Sequence, residues 1–465
     1  MRRPSWIESF VVTAAILACA PALSADEIAW PPALRGAKQG TVTIETPRFL
    51  SVPEAVVAEQ KKTDAAPFVV AKTPPRVELA FHDPLGPNAA KRRLWSCWGD
   101  ICVAGDGRVY CAIGDHGDDR GGDARCFVYR WDPRASRLEQ IVDMNQVVPP
   151  RQGQPAWSKV HARIDEGPDG GIYFCCTLND GQRGVTPQYG WTDALPGGQL
   201  YRYDPVTGKT EVFANLPPRR CTATSILDRA RNIWWCNLEG GGNALWGLDL
   251  KAKKVVYQTP DGTVQFNRAF ALTRDGSLVF NGEGGLWRCD PAKKVLTRTR
   301  SSLGSSPGMR AVTAATKDGA IFGVTHQTNQ LFRYQPAKDD LKVLGPNWLT
   351  GMYTAVCVLS PCEKYVYYLP GAHGQAFRHG TPVVQYEIAT GRRKVLAFLA
   401  EPLAAEYGYV PGGTYGAKLS ADGGTLYVNF NGHAATGRPA HLRADGFGLC
   451  AFASVHIPQS ERPSH

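Results

Sequence analysis

Along residues 95–457 apolar and polar positions alternate in short runs, each broken by a turn that often reads Asp-Gly, and the unit recurs about every 45 residues. The turn and the strand after it read Asp106-Gly107-Arg108-Val109-Tyr110, Asp169-Gly170-Gly171-Ile172-Tyr173, Asp275-Gly276-Ser277-Leu278-Val279, Asp318-Gly319-Ala320-Ile321-Phe322 and Asp422-Gly423-Gly424-Thr425-Leu426-Tyr427. Two degenerate copies, Arg231-Asn232-Ile233-Trp234-Trp235 and Glu363-Lys364-Tyr365-Val366-Tyr367, bring the number to seven. A second signature follows within the unit: Val128-Tyr129-Arg130-Trp131-Asp132-Pro133, Leu200-Tyr201-Arg202-Tyr203-Asp204-Pro205, Leu286-Trp287-Arg288-Cys289-Asp290-Pro291 and Leu331-Phe332-Arg333-Tyr334-Gln335-Pro336. Alternating aromatic and apolar residues suit strands packed between neighbouring sheets, and the proline ends each strand because it cannot donate to a ladder.

This period and patterning predict an all-β, seven-bladed β-propeller. The last repeat supplies only three strands, so residues 77–81, ahead of the first blade, are expected to add the fourth and close the ring, which removes an exposed edge. With 49 glycines, 34 prolines and no helical periodicity, a helical solenoid is excluded. The expected division is a signal peptide over 1–24, an extension over 25–76 that wraps the outside or stays mobile, the propeller over 77–460 and a tail over 461–465.

The N-terminus changes the picture of where the chain works. Arg2 and Arg3, an apolar run over 10–23 and the small-residue stretch Ala22-Leu23-Ser24-Ala25 have the order of a secretory signal. The run is too short to span a membrane and nothing later approaches that length. A periplasmic or extracellular protein is expected, monomeric and without membrane insertion. Export disfavours nucleic acid as a partner. The net charge of +10 suits an acidic partner such as a uronate or sulfated polysaccharide, or else marks a generally basic surface.

Of 13 cysteines, Cys19 lies in the signal, leaving an even number where disulfides persist. They read as structural. A count outward from Asp118-Asp119 sets Cys111 opposite Cys126, and a similar count brings Cys221 within two or three positions of Cys236. No haem-attachment run, zinc-ribbon spacing, nucleophile elbow, phosphate-binding loop or dinucleotide fingerprint occurs, so those chemistries lack support.

The inner strand of each blade lines the central channel, and eight residues before each turn position lie Trp98, His161, Thr222, Asn267, Arg310, Thr354 and Thr414. This is a polar set where an apolar plug would serve a purely structural channel. The ends of the second strands carry His116, Asn179, Glu239, Glu283, His326, His373 and His433. A ring of His116, Glu239, Glu283, His326, His373 and His433 would hold one divalent metal, calcium, manganese or zinc, or transfer protons. The alternative is loop residues with no cofactor. In blade 2, His161 and Arg163 share a face of the inner strand, and the loop after Asn179 carries Asp180, Arg183, Tyr189, Trp191 and Asp193. Aromatic rings beside arginine suit a sugar bearing an acidic substituent; packing on a neighbouring loop is the plainer reading. The run from Asp115 to Asp123 is acidic and Gly-rich but lacks EF-hand spacing.

With the His161-Ala162-Arg163 segment, the Gly197-Gly198-Gln199-Leu200-Tyr201-Arg202-Tyr203-Asp204-Pro205 run and the seven turns, the chain resembles exported bacterial propellers of the gluconolactonase-like kind and propeller polysaccharide lyases acting on oligogalacturonate or ulvan. The lyase resemblance implies β-elimination, with His161 as base, Arg163 or Arg310 neutralising the developing charge and Tyr189 donating a proton. Trp98, Asn179, Trp191 and Asn267 would contact substrate. The lactonase resemblance implies a carboxylate among metal ligands, with Glu239 or Glu283 beside Asn267. The competing expectation is a non-catalytic propeller that binds glycan or protein through the same face.

Overall fold

In the Asp-Gly turns the aspartate carboxylate takes the backbone N–H two residues on, and the glycine adopts a backbone that a side chain would strain. Asp106 Oδ1 accepts from Arg108 N at 2.9 Å, with Gly107 at φ +84°. Each such turn reverses the chain between an inner and a second strand, and in the computed structural model the repeats fold into seven antiparallel sheets, the blades of one propeller. The structure describes residues 29–86, 89–91, 94–115, 124–149, 156–177, 197–304, 308–436 and 446–462.

Blade 1 is Cys102–Val103, Val109–Gly114, Cys126–Asp132 and Arg137–Asp143; blade 2 is Lys159–Val160 with Asp165–Glu166, then Ile172–Thr177, Gln199–Tyr203 and Thr210–Asn215. Blade 3 is Ser225–Asp228, Ile233–Leu238, Ala244–Asp249 and Lys254–Gln258, and blade 4 is Ala271–Leu272, Leu278–Gly282, Gly285–Asp290 and Val295–Arg298. Blade 5 is Met309–Val312, Ile321–Thr325, Gln330–Gln335 and Asp340–Pro346, and blade 6 is Val358–Leu359, Tyr365–Tyr368, Pro382–Glu387 and Arg393–Phe398. Blade 7 joins Tyr409–Leu419, Thr425–Ala434 and Ala451–His456 to Arg76–Phe81, so the N-terminal strand does close the ring.

The core lies between blades. Trp131 of blade 1 stacks on Phe452 of blade 7, with ring centroids 5.2 Å apart, and Trp95, Trp157, Trp234, Trp235 and Trp348 are fully buried in the same kind of seam. The segment before the ring-closing strand wraps the outside, as one of the two expected states. Thr41–Glu45 pairs with Arg76–Phe81, and Val69–Val70 runs parallel to the outer strand of blade 6. Glu461, expected at the head of a tail, is buried instead. It accepts the N–H groups of Lys72 and Thr73 and pairs with Lys394 Nζ at 2.7 Å, fastening that segment to blade 6. No helix among the described residues is long and apolar enough to cross a membrane.

The expected disulfides are corrected by the register. Cys111 lies opposite Tyr129, and Cys126 opposite Gly114, because the register centres the hairpin later than Asp118-Asp119. Cys236 lies opposite Ser225 while Cys221 bridges to Glu239. The twelve described cysteines are all free thiols, and only Cys362 is exposed.

Candidate functional site

The channel residues come from irregular backbone just ahead of the regular inner ladders, such as Trp98 to Ile101 before Cys102–Val103 and Asn267 to Phe270 before Ala271–Leu272. Without a continuous ladder, buried backbone groups need other partners. Thr222 accepts the N–H of Thr224 at 3.1 Å, Thr414 accepts that of Gly416 at 2.9 Å, and Thr354 donates to Met352 O at 2.9 Å. Asn267 Oδ1 accepts Asn281 N at 2.7 Å while its amide donates to Gln265 O. These four polar residues are buried structural ties, not channel walls. For Asn267 this corrects the expected substrate contact.

In blades 3, 4, 6 and 7 the wall is the next residue along: Ala223, Arg268, Ala355 and Tyr415. A one-residue slip turns every side chain to the other face. Trp98, His161 and Arg310 do line the channel, in blades 1, 2 and 5. These seven positions form the mouth of an open cavity. Two residues deeper, Asp100, Arg163, Ser225, Phe270, Val312, Cys357 and Ala417 form a second ring, with Lys418 beside them. Inner strands crowd at this level: a Cβ at Gly99 would run into the Ala162 carbonyl.

The mouth is cationic. Arg268 leans across the small Ala223 of blade 3, and its Nη1 lies 3.3 Å from His161 Nε2 in blade 2. A guanidinium only donates, so this contact occupies the Nε2 lone pair. Arg310, 6% exposed, donates through Nε to the Tyr353 hydroxyl, and its guanidinium lies 5.1 Å from the ring centres of both Tyr353 and Tyr415. Among the described residues no carboxylate comes within ion-pair distance of Arg268 or Arg310. Burial, then the neighbouring charge of Arg310, lowers the Arg268 pKa, against the opposing pull of the Glu239 carboxylate farther off. The Tyr415 hydroxyl is buried without a hydrogen-bond partner, and burial raises its pKa.

Trp98 stacks on Phe447 at 5.7 Å and lies 4.9 Å from Tyr415, 5.6 Å from His373 and 6.1 Å from His161. His326 and His373 flank Tyr353 at 5.5 Å and 5.3 Å. Burial, reinforced by Arg310, Arg268 and His373, lowers His326 to about 4, which leaves it neutral at neutral pH.

The second ring is charge-compensated. Lys418 pairs with Asp100, and Arg163 Nε lies 3.8 Å from Asp100 and 3.7 Å from Asp165. Arg163, expected as a neutraliser of substrate charge, is already balanced by these two aspartates.

Of the six expected metal ligands the five that are described do not gather as one set: His326 and His373 flank Tyr353, and the other three lie elsewhere. Glu239 accepts the N–H of Ala223, Glu283 sits exposed in the hairpin turn of blade 4, and His433 accepts from Gly446 N at 2.7 Å beside Phe377. Among the described residues no group of three or more His, Cys, Asp or Glu could hold a metal ion, so the described residues by themselves offer no site for the expected divalent cofactor. His116, Asn179, Tyr189 and Trp191, with the rest of the blade 2 loop and most of the acidic run after Asp115, lie outside the described residues. Asp115 itself is buried and accepts Arg125 N at 3.0 Å. Sequence reasoning missed Arg268, Tyr415, Tyr353, Asp100 and Lys418; the first two stand one residue after positions it singled out.

No family model matches the chain, and no curated protein matches it. Solved structures do. A chain of a mitotic checkpoint complex is 12% identical with TM-score 0.52, over 88% of this chain and 97% of that one. The WD40 repeats of RRP9 are 9% identical with TM-score 0.51, over 83% of this chain and 99% of that one. Virginiamycin B lyase from Staphylococcus aureus is 11% identical with TM-score 0.49, over 81% and 99%. At such identities the likeness concerns the propeller fold.

Proposed function

We propose that this propeller takes an acidic carbohydrate into its channel mouth, with the ligand's carboxylate or sulfate seated between Arg268 and Arg310. One observation carries the reading: two guanidinium groups from adjacent blades line a single cavity with no carboxylate in ion-pair distance among the described residues. Like charges held together out of bulk water raise each other's energy, and an oxyanion relieves this with charge-assisted hydrogen bonds. Trp98 and Tyr415 offer ring faces to the apolar side of a pyranose. An exported location would give the site access to such polymers.

The same residues suit β-elimination of a uronate. A neutral His326, which flanks Tyr353 and is not itself part of the cavity wall, would have to reach the substrate to take the proton beside the carboxylate as the carbon–carbon double bond forms and the glycosidic C–O bond breaks. The arginines would hold the charge that develops, and water would protonate the leaving oxygen, since the Tyr415 hydroxyl is buried. This moves the role of base from His161, whose Nε2 already accepts from Arg268. Hydrolysis of a sugar lactone, the other expected activity, draws less support: Glu283 is exposed in a hairpin turn, and Glu239, which accepts the N–H of Ala223 at the mouth, stands in no group of three or more metal-ligating residues among the described residues. The second reading is binding without turnover, favoured by the ties that hold both arginines and His161 in place before any ligand arrives.

Calorimetric titration with galacturonate, glucuronate, their oligomers and neutral sugars tests the proposal. Acidic sugars are expected to bind, and Arg310→Met to weaken them on the order of 30-fold or more, the usual scale for truncating a charged partner. Equal binding of neutral sugars, or an unaffected variant, overturns it. Growth of unsaturated-uronate absorbance separates the lyase from the binding module.

A further inference from the structure

Beneath the arginines, the second ring faces the same cavity with a different chemistry. Asp100, Arg163, Ser225 and Lys418 make one side polar, whereas Phe270 and Val312 make the side under Arg268 and Arg310 apolar. The polar side has donors left over, and its acceptor Asp100, which takes Ile101 N at 2.9 Å through Oδ1 and Lys418 through Oδ2, keeps a second lone pair on each oxygen. Arg163 uses its backbone N–H on Ser225 Oγ, and its terminal nitrogens hydrogen-bond to no described residue. Its Nε is buried without a hydrogen-bond partner, as is Asp165 Oδ2, although the two side chains stand 3.7 Å apart. With two carboxylates balancing two cations, this level repels a second anionic group as much as it attracts one. It suits a group that donates and accepts at once, and a sugar hydroxyl is such a group.

Resting on the acidic-carbohydrate reading above, we infer that Asp100 and Arg163 are specificity residues that bind the hydroxylated end of the ligand, so that a terminal or free sugar acid enters the channel end-on. The two rings are two residues apart on each inner strand, about 7 Å along the channel. That separation matches the span of one sugar ring from its acid group to its far hydroxyls. A mid-chain unit lying across the mouth would leave the second ring unused.

The test uses the full chain and needs no variant for its first arm. Calorimetry compares glucuronate and galacturonate with cyclohexanecarboxylate, an acid of similar size lacking hydroxyls, and measures stoichiometry on uronate oligomers of increasing length. The inference expects the sugar acids to bind about 10-fold tighter, the scale of a few neutral hydrogen bonds, and one protein per chain whatever its length. Asp100→Asn and Arg163→Gln should erase the preference while leaving cyclohexanecarboxylate bound. Acidic ligands that bind without the preference, or several proteins on each long chain, overturn the end-on inference and leave the acid-binding reading standing. Neutral sugars binding as well as acids overturn both. If either variant fails to fold, the wild-type ratio and stoichiometry decide alone.

Discussion

The two rings of the channel are built from the same strands, two residues apart, yet they treat charge in opposite ways. At the mouth, Arg268 and Arg310 are held by hydrogen bonds and ring faces, with no carboxylate in ion-pair distance among the described residues. In the second ring each cation has a carboxylate beside it, Lys418 on Asp100 and Arg163 between Asp100 and Asp165. An uncompensated pair raises the energy of the folded protein unless something arrives to neutralise it, whereas a compensated network is stable as it stands but fails when one member is removed. The mouth is therefore organised for a ligand and the second ring for the fold, with spare donors that a ligand can use.

The largest expected effect exchanges the two roles. Asp100→Leu strands Lys418 and Arg163 and should cost on the order of 3 kcal/mol of stability, read as a lower denaturation midpoint. Arg310→Met removes one of two like charges and should leave the midpoint unchanged or raised, although it weakens acid binding on the order of 30-fold or more. Equal destabilisation by both variants would mean that the rings do not differ in this way.

Acid should separate the rings by sign. His326 has a folded-state pKa lowered from 6.5 to about 4, by burial and then the arginines. The unfolded chain therefore binds more protons in that window, and stability falls as pH drops from 6.5 towards 4. Fully buried His82, also lowered to about 4, pulls the same way from the blade 7 side. Asp165 is raised above 3.8 by burial, so its contribution rises as pH falls through its folded value towards 3.8. Denaturation midpoints at a series of pH values should show a shallower acid loss in His326→Asn and a steeper one in Asp165→Asn; the reverse order would refute the assigned environments.

How much of this could be read from the sequence depends on how regular the backbone is. The blades were legible because turn chemistry and period-two patterning are local: Asp106-Gly107 and Asp422-Gly423 each announce a hairpin, and residues 77–81 supply the missing strand. The channel walls were legible only in part. Counting eight back from the turn reaches Trp98, His161 and Arg310, but it lands on Asn267 and Thr414 where the walls are Arg268 and Tyr415. Ladders there shrink to a few residues, and the pairing of Thr414 to Gly416 shifts register, so period-two counting loses its phase. The compensating pairs of Asp100 with Lys418 and with Arg163 join blades 1, 7 and 2, and no local pattern marks such long-range partners. Of the described outer histidines, His326 and His373 flank Tyr353 whereas His433 turns to Gly446, a difference that depends on loop paths that spacing does not encode.

The smallest expected effect concerns how the mouth is kept open. Ala223 and Ala355 are the small members of the mouth ring, and each lies on a blade that an arginine must cross to reach its partner: Arg268 over blade 3 to His161, and Arg310 over blade 6 to Tyr415. A larger side chain at either position would push the guanidinium off its support without removing its charge. Ala355→Val is therefore expected to weaken acidic-sugar binding by a few-fold through Arg310, while Ala417→Ser, one level deeper, should leave the affinity of a simple carboxylate unchanged. Calorimetry on the two variants with cyclohexanecarboxylate reads the difference directly. If Ala417→Ser proves the more harmful, the anion sits at the second ring, and the assignment of charge to the mouth and hydroxyls to the level below it would have to be reversed.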